Sequence, residues 1–204
     1  LNNLVPITTL KQALDIVGGV SFPEKMPIAS TGLPIKNCRT GKILRAMKKD
    51  RKKRITVCSN CYAGKGAYIQ YKYNVAPAQE RRLKAIDNPR WVDAFVYILT
   101  HQKQILKHKV FRWHDSGDIQ SPDHLSKIID IARRTPKNIV IRLSGTYVDG
   151  KPPEYKHTSV ATTDVDKVTC LASLPKEHPK KQKGCQSCRQ CWDATVKNVA
   201  YFNH

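Results

Sequence analysis

The sequence predicts an α/β fold: βαβ units with a mostly parallel, partly barrel-like sheet, and cysteine-bound metal joining the N- and C-terminal segments. Three observations carry that expectation. Residues 109–143 read strand, helix, strand, and two strands joined by one helix lie parallel in a common sheet. The seven cysteines fall into a group of three (Cys38, Cys58, Cys61) and a group of four (Cys170, Cys185, Cys188, Cys191) from opposite ends of the chain. A length of 204 residues suits a single domain, 1–204, with a core of its own and a cysteine-rich C-terminal segment over 168–204.

In chain order, Thr8 caps a short helix with Leu10, Ala13, Leu14 and Val17 on one face, and Gly18-Gly19 ends it. Residues 21–41 are rich in Pro, Gly, Ser and Thr and read as a loop carrying Cys38. Next come Lys42, Arg45, Lys48, Lys49, Arg51, Lys52, Lys53 and Arg54, opposed only by Asp50. Such a run is either a solvated surface or a phosphate-contacting arm. Residues 54–57 read as a short strand that delivers Cys58. Behind Cys61, Tyr68, Tyr71 and Tyr73 interleave with Lys65 and Lys72, and Arg81, Arg82 and Lys84 close the segment. An amphipathic helix is the preferred reading, and base stacking is the alternative.

Asn88-Pro89 opens a helix over 90–107, apolar on most sides and therefore buried. A strand follows at 109–113. Ser121-Pro122 then starts a helix with Leu125, Ile128, Ile129 and Ala132 on one face, and 138–143 is the next strand. Residues 150–168 are turn-rich, with a short strand around 158–162. Trp192, Val196, Val199 and Ala200 suggest a closing helix.

Functional groups in parallel sheets collect where strands end. The first strand runs into His114-Asp115-Ser116-Gly117-Asp118, the second into Ser144-Gly145-Thr146-Tyr147. Asp115 or Asp118 is a candidate base or nucleophile, and His114 a candidate proton donor or ligand. The competing reading is that Asp118 and Ser121 merely cap turns.

Cys185, Cys188 and Cys191 recur at every third residue, so successive turns of backbone aim three sulfurs at one point. A zinc knuckle needs only C-x2-C pairs, and a third cysteine in step favours an iron–sulfur cluster. Cys170 completes a closed set of four, whereas Cys38, Cys58 and Cys61 would leave one iron open. One or two [4Fe-4S] clusters are expected, with zinc as the alternative. The longest apolar stretch, 92–99, is far too short to span a membrane, and no leader with a cleavage site opens the sequence. A cytoplasmic location without a membrane partner is expected, where cysteine clusters read as metal sites. Thirty-six Lys and Arg against sixteen Asp and Glu give +20, which points to nucleic acid, DNA or RNA, as partner. The candidate contacts are Arg45, Lys48, Lys49, Arg51, Lys52, Lys53, Arg54, Lys65, Lys72, Arg81 and Arg82.

Four motifs occur in order: Cys58-x2-Cys61-Tyr62-Ala63, Arg112-x-His114-x-Ser116-Gly117-Asp118, Cys170-x-Ala172 and Cys185-x2-Cys188-x2-Cys191-Trp192. Over residues 35–195 the series resembles a family of phage and prophage proteins called the gene-eighty-eight family. That resemblance implies a viral origin and an iron–sulfur site, without a settled activity. A cluster loop after a strand, followed by βαβ units, is also similar to radical S-adenosylmethionine enzymes, although the spacing departs from their C-x3-C-x2-C. The run Asp115-Ser-Gly-Asp-Ile-Gln120 resembles the aspartate loop of tRNA-guanine transglycosylases, which implies a barrel and zinc. The expected function is a viral iron–sulfur protein that binds nucleic acid through a basic surface. The alternative is an enzyme of either looser kind, acting on a nucleic-acid base.

Overall fold

The computed structural model describes residues 5–23, 26, 28–46, 58, 61–144, 158–162 and 164–202. Five strands form one sheet: β1 (Ala29–Thr31), β2 (Val110–Trp113), β3 (Val140–Ser144), β4 (Thr158–Thr162) and β5 (Asn198–Phe202). They lie side by side in chain order, and each neighbouring pair is parallel. Among the described residues the sheet is open, since its two edge strands, β1 and β5, do not pair with each other. All five strands therefore end at the same edge.

The first helix, α1 (Leu10–Val17), is capped by Thr9 rather than Thr8: its hydroxyl accepts from the Gln12 amide at 3.2 Å. Gly18, at φ +74°, ends it. The 21–41 segment is less loop-like than its composition suggests, because it holds β1, a 3-10 turn at Ile35–Asn37 and the start of α2 (Arg39–Ala46). After Cys61 come a 3-10 turn at Tyr62–Gly64, α3 (Ala67–Gln70) and α4 (Lys72–Ala85). The predicted 90–107 helix is two helices, α5 (Trp91–His101) and α6 (Lys103–His108). Gln102 breaks it with an extended backbone, ψ 118°, and its side chain caps α6. Asn88 does not cap α5 but closes an Asx turn onto the Arg90 amide at 2.9 Å.

Between β2 and β3 runs α7 (Pro122–Arg134), whose N-cap Ser121 accepts from the His124 amide at 3.0 Å, as its Ser-Pro start predicts. Its buried face is His124, Ile128 and Ile131, rotated slightly from the predicted stripe. The short helix α8 (Cys185–Cys188) lies between β4 and β5. The predicted closing helix is β5 instead. The three-residue spacing of Val196 and Val199 mimics a helical period, but 198–202 pairs with β4 through five residues. Trp192 packs elsewhere, on Ile28, Val110 and Val140 at the starts of β1 to β3. The predicted strand at 54–57 and the Gly145-Thr146-Tyr147 rim lie outside the described residues.

Alternation gives the sheet two unlike faces. Ala29, Phe111, Trp113, Ile141 and Leu143 meet α1, α5 and α7 in the main core. Phe95 and Trp91 both pack tilted against Trp113, with ring centres 4.6 and 5.5 Å away. Each such side chain contributes roughly 1.5–3 kcal/mol on burial. The opposite face is apolar at the strand starts, at Ile28, Val110 and Val140, and polar beyond them. Ser30, Arg112 and Arg142 stand there in lateral register, with Ser144 beyond them.

Candidate metal and nucleic-acid site

Arg142 is fully buried on that polar face. Its Nε donates to the Cys191 carbonyl at 2.8 Å, and its Nη2 faces the carbonyls of Gln190, Asp193 and Val196 at 2.9–3.0 Å. A buried cation needs such acceptors to offset its lost hydration. Burial still lowers its pKa, against the opposing pull of Cys191 and Asp193. The effect is to lock the cysteine-rich loop onto β3.

Within that loop α8 makes one turn, and Arg189 at φ +51° leads into a 3-10 turn that presents Cys191. Cys170 is held from the other side, its amide donating to the Ala200 carbonyl of β5 at 2.8 Å. Burial raises the Cys170, Cys185 and Cys191 thiols, and each is raised further by others of the same group of four. Cys38, Cys58 and Cys61 form the second gathering. A methyl on Gly41 of α2 would stand 3.1 Å from Cys38 Cβ and 3.5 Å from Cys58 Sγ. Burial pushes the Cys38 thiol up to about 12, helped by Asp118, Cys61 and Cys58 and opposed by Arg45.

None of the seven cysteines is in a disulfide. Among the described residues, no three His, Cys, Asp or Glu side chains stand close enough together to hold a metal ion. The thiols nevertheless suit one in kind, as soft donors in two gatherings. The surroundings agree. Arg142 Nη1, Gln182 Oε1, Gln190 Oε1 and Asn37 Oδ1 are buried without a hydrogen-bond partner. Three of these residues adjoin Cys38 or the Cys191 loop in sequence or by hydrogen bond.

The rim after β2 divides its candidates. His114, at φ +60°, holds Nδ1 3.0 Å from the Ser144 carbonyl and packs against His124, ring centres 5.6 Å apart. Burial, with Arg112 nearby, pushes its pKa down to about 4 despite the Ser144 contact, so the ring is neutral at pH 7. It lines a small void with Thr31, Arg82, Trp91 and His124 in the helical layer. The structure therefore does not group His114 with the two aspartates. Asp115 is buried, and its Oδ2 accepts from Ser30 Oγ at 2.7 Å. Its carbonyl accepts from the Tyr62 hydroxyl and, at 3.3 Å, from Tyr68. Asp118 Oδ1 caps the local turn by accepting from the Ile119 amide at 2.8 Å, while its charge bears on Cys38.

Arg112 links these parts. Its Nε donates to Ser144 Oγ at 2.7 Å, and its guanidinium carbon lies 5.5 Å from the Tyr201 ring centre. Burial disfavours its charge, but Tyr62, Tyr201, Cys191 and Asp115 outweigh burial and raise its pKa. Arg112, Arg142, Tyr62 and Tyr201 were absent from the predicted site residues. Tyr62 and Arg112 stand in the motifs quoted above, and both arginines share a position in two apolar strands, Val-Phe-Arg-Trp and Val-Ile-Arg-Leu-Ser.

Of the predicted nucleic-acid contacts, Lys65, Lys72 and Arg81 are exposed, and Arg45 is half-buried beside Cys38. Arg82 is buried, with Nε donating to the Gly19 carbonyl at 3.1 Å, so it is not part of the open basic surface. Lys48, Lys49, Arg51, Lys52, Lys53 and Arg54 lie outside the described residues. No helix among the described residues is long and apolar enough to cross a membrane. A family model described as gene product 88 matches residues 28–140. No curated protein and no solved structure matches the chain.

Proposed function

The chain belongs to the gene product 88 family of phage proteins, and we propose that it is an iron–sulfur protein that binds nucleic acid. The observation that carries this reading is that the seven thiols sort into two groups, Cys38 with Cys58 and Cys61, and Cys170 with Cys185, Cys188 and Cys191, within which the pKa of Cys38, Cys170, Cys185 and Cys191 is raised by fellow members. Cys191 and Cys185 bear on Arg112, and Cys58 and Cys61 bear on Tyr201. Cys170, Cys185, Cys188 and Cys191 would hold a closed [4Fe-4S] cluster, and Cys38, Cys58 and Cys61 an open one. Bound, such a group supplies electron exchange or, where only three thiolates ligate, a free coordination position. The chain's own part is to fix the loops. Arg142 sets the Cys191 turn, and Gly41 leaves room for Cys38 and Cys58. Zinc fits the same donors and is the alternative metal.

Nucleic acid is favoured by the +20 charge and by the exposed Lys65, Lys72 and Arg81. Titration of DNA and RNA binding against salt tests it. Affinity should fall steeply, by orders of magnitude between about 50 and 200 mM salt, because phosphate contacts release counterions. Salt-independent binding, or no binding, removes the reading.

One observation favours a second reading, an enzyme acting on a base: Asp118 bears on Cys38, the group that would leave an iron open. Replacing Asp118 with Asn separates the two. Folding and nucleic-acid affinity should survive in either case, and only an enzyme should lose turnover.

A further inference from the structure

The segment between Cys61 and α4 forms helix, yet it leaves its largest side chains in solvent. Tyr73 is 82% exposed and Tyr71 54%, and Ile69 beside them is 56% exposed. The buried residues of α4 are Gln79 and Arg82, so these two tyrosines do not serve the core. Tyr62 differs in that the residue is 40% exposed while its hydroxyl is tied to the Asp115 carbonyl. Tyr68 packs edge-on against it, ring centres 5.8 Å apart at 68°. That ring is fixed before any partner arrives. Cations interleave with the rings: Lys72 Nζ stands 5.1 Å from the Tyr73 ring centre, and Lys65 is exposed.

We propose that Tyr71 and Tyr73, with Lys65 and Lys72, give single-stranded nucleic acid a stacking platform at the start of α4, the two rings taking separate bases because residues two apart on a helix do not share a face. The proposal rests on the nucleic-acid reading above and adds which strand state is bound and by which residues. A +20 chain selects a polyanion, and exposed rings flanked by lysines select a polyanion with free flat faces. A duplex hides its base faces in the stack, whereas a single strand offers both rings and phosphates. Tyrosine suits the task because its ring is large and loses little rotational freedom on contact. The contacts are to ring faces and phosphates, so DNA and RNA strands should bind alike.

The test uses the full chain purified without oxygen. Fluorescence anisotropy is read with labelled oligothymidylate, oligouridylate and a duplex of about twelve units, within the usual single-strand site size. In the Tyr71→Ala/Tyr73→Ala double variant, affinity for both single strands should fall about ten-fold or more, while duplex affinity holds. Tyr73→Trp should restore most of the Tyr73 contribution. The melting temperature should be unchanged, since both rings lie outside the core. Wild-type binding to single strands that the double variant retains overturns the platform and leaves the nucleic-acid reading standing. No binding of any nucleic acid by the wild type overturns both. A ten-fold preference between the DNA and RNA strands overturns the claim that ring faces and phosphates suffice.

Discussion

The Arg112 guanidinium stands 5.5 Å from the centre of the Tyr201 ring, joining β2 to β5 across the polar face of the sheet. Cys185 and Cys191 bear on the arginine, Cys58 and Cys61 on the tyrosine. Arg112→Gln should lower stability by about 2–4 kcal/mol, through loss of the ring contact and of the charged bond to Ser144. Arg112→Lys should recover only part of it, because an ammonium cannot bond and stack at once. Denaturant midpoints of the three proteins check this.

Arg142 has the heavier structural task. Replacing it with Met would strand the carbonyls of Gln190, Cys191, Asp193 and Val196. We expect a loss of about 3 kcal/mol or more, at roughly 1–3 kcal/mol for each unsatisfied buried group. Metal content of the soluble fraction should fall with it. A midpoint within error of wild type would show that the loop is held otherwise.

The paired histidines set an acid limit. Burial holds His114 at about 4 and His124 at about 3, below their ordinary 6.5. In the unfolded chain both take up protons near 6.5, so unfolding binds protons below that pH. Their contribution to stability is complete above 6.5 and is lost as pH falls from there toward 4 and 3. The loss is about 1.4 kcal/mol per pH unit for each ring. His114→Gln should roughly halve the slope of stability between pH 6 and 5, as measured by urea unfolding.

Gly32 is required by Asp115. A methyl there would overlap Asp115 Oδ1 and crowd Ser116 Oγ. Gly32→Ala should cost about 1–3 kcal/mol as overpacking and shift the aspartate from Ser30. Gly66→Ala is the control. It has open space around it, with φ +50° as its only difficulty, and should cost about 1 kcal/mol.

The legible parts of this fold were those in which one period dominates. The strands β2 and β3 and the helix α7 between them stand in the apolar pattern and in the Ser121-Pro122 cap. The strand β1 did not, because Ala-Ser-Thr has no apolar alternation and is placed by pairing with β2. The strand β5 was hidden by valines at helical spacing, and its partner β4 lies some forty positions earlier in the chain. At the site, the cysteine groups were visible as spacing. The arginines were not, since an arginine in a strand usually marks a solvent face, and here that face is covered by the cysteine loop. The placement of His114 was not legible either. It shares a motif with Asp115, but a left-handed backbone sets it among the helical-layer rings.

Serine substitution tests the division of the thiols. If the two groups act separately, Cys188→Ser and Cys58→Ser should each remove about half of the bound iron, and the double variant nearly all of it. Loss of all iron from either single variant would mean one shared centre.

The central claim is tested most directly by iron, zinc and acid-labile sulfide per chain, with the visible spectrum, on protein purified without oxygen. Iron and sulfide in equal amounts, about eight of each for two cubane clusters or about four for one, is the predicted result. Zinc without sulfide would contradict it, and the cysteines would then be staples for a zinc-bound nucleic-acid protein.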